Sequence, residues 1–265
     1  QAEDGIRDMP TGLVGSEMCI RDRSSGRRRE AGNRSTAIAS RHIGMNVLAI
    51  DTSTEACSAA LLREDGTVFS EFKIAPRQHV QLLPVMMDAV LSAAKIPRRS
   101  ISHCAFSNGP GAFTGIRIAA AQAQGIGLAL NIPLLPVSTL AVLAQVCLDR
   151  FESDNALVAL DARMQEIYWA SYQRDSAGRA LLDGSERLGS IDDMEIAAAT
   201  ECGGGHGWLE ELRTRVSFPV DDSLLPNARA LLKLASAAID QNLGVDASNV
   251  SINYLRNQVA EKAAC

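Results

Sequence analysis

Apolar residues in this chain come in short runs between polar turns up to about residue 75, and alternate with helically spaced stretches after it. Residues 47–50 form an apolar run ending on Asp51, polar side chains fill 52–55, and a second run covers 57–62. Short apolar runs bounded by turn residues read as buried strands. Asp65-Gly66 is a strong hairpin signal returning the chain into a third run at 67–74, so three consecutive antiparallel strands are expected. A helix is expected from 79 to 94, with Pro84 in its first turns, where a missing N–H is best tolerated. There follow a strand at 102–107, a glycine-rich loop, a helix at 114–130, a short strand at 134–137 and a helix opened by Ser138 or Thr139.

The second half begins in the same way. Val158-Ala159-Leu160-Asp161, a polar turn and a run at 167–172 echo Leu48-Ala49-Ile50-Asp51 and its partner run, which points to two copies of one motif. Asp175 to Gly178 supplies a further turn, Gly203-Gly204-Gly205 with His206 and Gly207 reads as a flexible loop, and 227–241 as a closing helix. Strands that precede alternating helices and strands, twice over, imply an α/β protein of mixed layers.

The stretch Ser107-Asn108-Gly109-Pro110-Gly111-Ala112-Phe113-Thr114-Gly115-Ile116-Arg117 joins an expected strand to an expected helix. Its glycines permit φ > 0 or close backbone approach, and Thr114 is expected to cap the helix. Such a loop suits an anion at a helix N-terminus. The dinucleotide pattern G-x-G-x-x-G would need glycine at 114, however, and the P-loop would need Gly-Lys before Ser or Thr. Two readings stand: a ligand loop, or a glycine turn for tight strand-to-helix packing.

With 265 residues, 46% hydrophobic and 22% charged, the chain can build one large or two ordinary globular domains. A net charge of -5 gives it no electrostatic footprint for nucleic acid or an anionic membrane. Cysteines at 19, 57, 104, 147, 202 and 265 show no C-x-x-C spacing, so reduced, mostly buried thiols and a cytoplasmic location are expected. Histidines at 42, 79, 103 and 206 offer no i, i+4 pair, and no metal site is expected. No run approaches the ~18 apolar residues of a membrane span. Residues 1–44 differ from the rest: eight arginines against six acids, no lysine and no apolar period. That composition reads as disorder, or as a basic arm; Met45 is expected as the true start, and residues 1–23 resemble translated adapter sequence.

Several segments together resemble the TsaB family, also called YeaZ. They are Leu48 to Ser58, Pro76-Arg77-Gln78-His79, Gly109 to Arg117, Val137-Ser138-Thr139-Leu140, Asp161-Ala162-Arg163-Met164-Gln165-Glu166-Ile167-Tyr168 and Tyr254-Leu255-Arg256. The resemblance implies an actin-like, sugar-kinase-like (ASKHA) fold of two ribonuclease-H-like lobes with mixed sheets flanked by helices, at 45–150 and 151–265. It implies a role in forming N6-threonylcarbamoyladenosine at position 37 of tRNAs reading ANN codons. There the family acts as non-catalytic partner of its paralogue TsaD, which works with the ATPase TsaE. ATP and metal belong to those partners, and tRNA is met indirectly through the complex.

The paralogue is expected to carry H-x-x-x-H in its first helix, whereas His79 here is followed four residues on by Leu83. One ligand cannot hold a catalytic metal. Asp51 stands where ATP-using members of the fold place phosphate and metal, but Thr52-Ser53-Thr54 lacks a glycine to close on phosphate. Asp51, Thr52, Ser53, Gly109, Gly111, Thr114 and Asp161 are therefore candidate remnants of a nucleotide loop, with room for weak ATP or ADP binding; alternatively Asp51 and Asp161 cap their hairpin turns. For the TsaD surface, or a homodimer using the same patch, the resemblance points to the helices flanking the glycine loop. The candidates are His79, Leu82, Leu83, Met86, Met87 and Val90 on the first, and the small stripe Ala119, Ala123 and Gly127 on the second. Internal packing on the chain's own sheet competes for these residues. The competing functional class is an enzyme of the same superfamily, an ATP-dependent phosphotransferase or metallopeptidase; it would need a second metal ligand and a closed phosphate loop.

Overall fold

In the computed structural model, which describes residues 44–256, β1 (Val47–Asp51) is buried along its whole length. Its side chains divide with period two: Leu48 and Ile50 enter one core, Val47 and Ala49 another. β2 (Ala56–Leu62) and β4 (His103–Ser107) divide in the same way, so both faces of the sheet are covered and their runs read as continuously apolar. β3 (Val68–Ile74) and β5 (Leu134–Val137) complete the order β3-β2-β1-β4-β5, with β1, β2 and β3 antiparallel and β4 and β5 parallel to β1.

The second sheet repeats the plan. β6 (Asn155–Arg163), β7 (Glu166–Arg174) and β8 (Ala180–Gly189) form an antiparallel meander, and β9 (Cys202–Gly204) and β10 (Val220–Asp221) add in parallel on the other side of β6. Its order, β8-β7-β6-β9-β10, is the first sheet's order with each strand replaced by its counterpart. The echo between Asp51 and Asp161 in the sequence is thus an echo in topology. Residues 203–205, expected as a flexible loop, instead begin as the buried strand β9. Glycine is needed there because Cβ atoms at Gly203 and Gly204 would lie 2.8 Å from the Trp208 ring and 3.0 Å from Cys147 Sγ.

Helices α1 (His79–Ala94) and α2 (Phe113–Leu130) cover one face of the first sheet. α5 (Ala228–Asp240) covers the other, its first amide bonded to Ser58 Oγ at 2.9 Å. α3 (Thr139–Phe151) is shared: Val142 joins the core under α5, while Leu143, Cys147 and Leu148 pack on the second sheet. Ser138 caps it by accepting from the amides of Leu140 and Ala141. The short α4 (Glu210–Arg213) closes the far side of the second sheet with Trp208. Beyond α5 the chain runs back along β5, where Leu134 and Val245 exchange backbone bonds at 2.9 and 2.8 Å, to the glycine loop. Among the described residues no helix is long and apolar enough to cross a membrane. Expectations for residues 1–43, including Cys19 and His42, and for Cys265 lie outside the described residues.

Candidate functional site

The turn after β1 and the loop after β4 meet at the parallel pair β1–β4, and they meet by direct backbone contact. Ala112 N–H donates to Ser53 O at 2.8 Å, and Thr52 Oγ1 donates to Gly115 O at 2.7 Å. A Cβ at Gly111 would lie 2.4 Å from Ser53 O, and one at Gly115 only 1.9 Å from Thr52 O. The glycines let two stretches of chain touch. Gly109, at φ +108, is pressed in turn by the tail, where a Cβ would lie 2.8 Å from Asn253 O, and Asn253 N–H donates to Asn108 O at 2.8 Å.

Asp51 is wholly enclosed. Its carboxylate accepts from Ser53 N and Ser53 Oγ, each at 3.1 Å, and from Ser107 Oγ at the end of β4. Burial pushes its pKa above the ordinary carboxylate range, partly offset by the bonds from Ser107 and Ser53 and by the charge of His79. A phosphate needs unspent amides around an opening. Here the amides of Ser53 and Ala112 are spent on protein oxygens, and Thr52, Ser53 and Asp51 are fully buried. The turn at 51–53 is therefore closed to a nucleotide phosphate, while the first turn of α2, from Phe113 and Thr114, stays exposed.

The second turn is similar but open. Arg163 N–H donates to Asp161 Oδ1 at 2.7 Å, the Arg163 guanidinium pairs with Oδ2 at 2.9 Å, and Arg163, Met164 and Gln165 all take positive φ. Asp51 and Asp161 thus each accept an amide two residues on. His206 lies between β9 and α4 with Nδ1 buried and unpartnered. Burial holds its imidazole below the usual histidine range, opposed by Glu55 and Asp161 and reinforced by Arg163. His79 points inward, its ring Nε2 donating to Ala56 O at 3.2 Å, and so ties the start of α1 to β2. Among the described residues no group of three or more His, Cys, Asp or Glu is placed to hold a metal ion.

Two expectations are corrected. Thr114 does not cap α2: the cap position is Ala112, without a side-chain bond, and Thr114 is exposed in the first turn. The stripe of Ala119, Ala123 and Gly127 does not face outward. Ala119 and Ala123 are fully buried in the core beneath α2, and a Cβ at Gly127 would press on Leu134 at 3.0 Å. Small residues let α2 approach its own sheet, a need that spacing alone cannot distinguish from the approach of a foreign helix. On α1, Leu83, Met86 and Val90 are buried in the same core as His79 is buried beside it, while Leu82 and Met87 are only partly covered. What the two helices leave outward is Val80 and Val85, each 63% exposed, with Phe113 at 54% and Leu128 at 73%.

Sequence reasoning missed the fastening of the tail. Glu186 on β8 accepts from Ser138 Oγ, from Tyr172 OH at 2.9 Å and from Asn253 Nδ2 at 2.7 Å. Arg117 stacks on Phe113 at 3.2 Å and on Tyr254 at 5.6 Å, and Arg256 donates to Ala162 O and pairs with Glu166. Tyr254-Leu255-Arg256, one of the segments that carry the resemblance, was the available signal. A surface groove of about 290 Å³ between β7 and β8, beside Trp169, Asp183 and Arg187, includes none of the predicted site residues.

A family model described as "TsaD: tRNA N6-adenosine threonylcarbamoyltransferase" matches residues 70–192. The tRNA threonylcarbamoyladenosine biosynthesis protein TsaB of Escherichia coli is 36% identical over 82% of this chain and 97% of its own length. The protein of that name from Haemophilus influenzae is 32% identical over 82% and 96%. Among solved structures, YeaZ from Pseudomonas aeruginosa shares 40% identity with a TM-score of 0.74, covering 80% of this chain and all of that one. A second Pseudomonas aeruginosa structure, described as similar to the peptidase YEAZ, gives 41% and 0.75 over the same shares.

Proposed function

Because the chain belongs to the TsaB family, we infer that it takes part in forming threonylcarbamoyladenosine on tRNA as a non-catalytic subunit that binds and activates TsaD, with TsaE joining through that pair. The observation that carries the reading is the close contact between the 51–54 turn and the glycine loop, which keeps Asp51, Thr52 and Ser53 enclosed and away from a phosphate. The repeated sheet order supports an actin-like pair of ribonuclease-H-like lobes. ATP and metal then act on the partner subunits, tRNA at its position 37 in ANN-reading species is engaged through the complex, and the setting is cytoplasmic.

The docking surface in this reading is the outward side of α1 and α2: Val80, Val85 and Leu128, with the partly covered Leu82 and Met87. Two adjacent helices with exposed aliphatic side chains suit a matching helix pair, from TsaD or from a second copy when TsaD is absent. The test is calorimetric titration of the lone chain with ATP and Mg²⁺ beside co-purification with TsaD. The expected result is TsaD capture without nucleotide turnover. Tight ATP binding with hydrolysis by the lone chain would overturn it.

A further inference from the structure

Cys147 on α3 and Cys202 at the start of β9 lie 55 residues apart in sequence, yet their Sγ atoms are 3.5 Å apart and both residues are fully buried. The approach has a local cause. Gly204, two residues after Cys202, has no side chain, and a Cβ there would meet Cys147 Sγ at 3.0 Å and its Cβ at 3.1 Å. The other described cysteines lack such a neighbour: Cys57 and Cys104 stand on β2 and β4 with β1 between them. A disulfide needs sulfurs about 2.05 Å apart, so closing it requires the two sulfurs to approach by about 1.5 Å.

We propose that Cys147 and Cys202 are a redox-active dithiol, which a small two-electron oxidant of the peroxide class closes to a disulfide pinning α3 to β9. The S–H···S contact between the two, together with burial, holds the Cys147 thiol well above the ordinary range, and the same contact lowers Cys202 against its burial. Either sulfur can attack first with the same balance, here that of Cys202. Its sulfur attacks one peroxide oxygen, the O–O bond breaks, one water leaves and Cys202 becomes a sulfenic acid. The Cys147 sulfur then attacks the Cys202 sulfur, the S–O bond breaks and a second water leaves. Two thiols lose two hydrogens and two electrons, and one peroxide takes them up. Because α3 serves both sheets, the bond fastens the shared helix to the second sheet.

The full folded chain is treated with hydrogen peroxide, remaining thiols are alkylated in denaturant, and the chain is digested without reductant for mass spectrometry. A linked Cys147–Cys202 peptide pair is expected, with a melting temperature roughly 5–10 °C above the reduced chain, reversed by dithiothreitol. Cys147→Ala and Cys202→Ala should each lack both signals, and the map of the unaltered chain carries the test if either variant fails to fold. The proposal is overturned if both residues are recovered as free thiols under conditions that fully oxidise the denatured chain. It is equally overturned by separate sulfinic acids, by linkage to other cysteines, or by a linked chain whose melting temperature does not rise.

Discussion

Asp51 holds a carboxyl group away from water with three hydrogen-bond donors around it, and its pKa still lies above the ordinary value because burial outweighs them. A carboxyl unfolded near pH 4 and folded with a raised pKa binds its proton more tightly in the native state. Its contribution to stability is complete below about pH 4 and is lost as pH rises through the folded value. Urea melts of the wild type and Asp51→Asn from pH 4 to 7 should therefore diverge, the wild type losing stability relative to the variant as pH rises. Parallel curves would mean the carboxyl is not desolvated as described. Gly115 makes a second residue-scale claim. Gly115→Ala must push Thr52 O from 1.9 Å, a backbone clash without a flexible partner, and should cost about 2–3 kcal/mol in the same melts. A change below about 0.5 kcal/mol would mean the turn and the helix are not in contact.

At the scale of elements, α2 carries two faces of opposite use. Ala123→Glu buries a carboxylate in a core already closed by Leu134 and α1, and the loss of roughly 4 kcal/mol or more should unfold the chain, read as lost helical circular dichroism. Leu128→Glu, on the exposed face, should leave the fold intact while weakening TsaD capture about tenfold or more. A folded Ala123→Glu, or a Leu128→Glu that binds TsaD normally, would reverse the assignment of faces. Elements with a clear period were legible in sequence: α1 spans 79–94 as expected, and β1 and β2 lie where their apolar runs stand. The small stripe was visible but its direction was not, since Gly and Ala every fourth residue fit either neighbour. β9 and β8 were not legible. The first is glycine-rich because Trp208 and Cys147 press on it, and the second is an exposed edge whose Asp183, Gly184 and Ser185 hide any alternation.

At the scale of the whole molecule, duplication sets two hairpin turns, after β1 and after β6, at corresponding ends of two like sheets. Asp51 and Asp161 were legible as the markers of that repeat. The sealing of the first turn was not, because it depends on which carbonyls Gly111 and Gly115 meet and on a tail that returns from residue 253 to cover Gly109. The account holds that the molecule contributes assembly while its partners contribute chemistry. The most direct measurement is the rate of threonylcarbamoyl transfer to tRNA by TsaD and TsaE supplied with threonylcarbamoyl-adenylate, run without this chain, with it, and with Asp51→Asn. The account predicts that the rate depends on the chain and that Asp51→Asn stays within a few fold of wild type. A full rate without the chain, or a collapse of about a thousandfold in Asp51→Asn with normal folding and TsaD affinity, would contradict it.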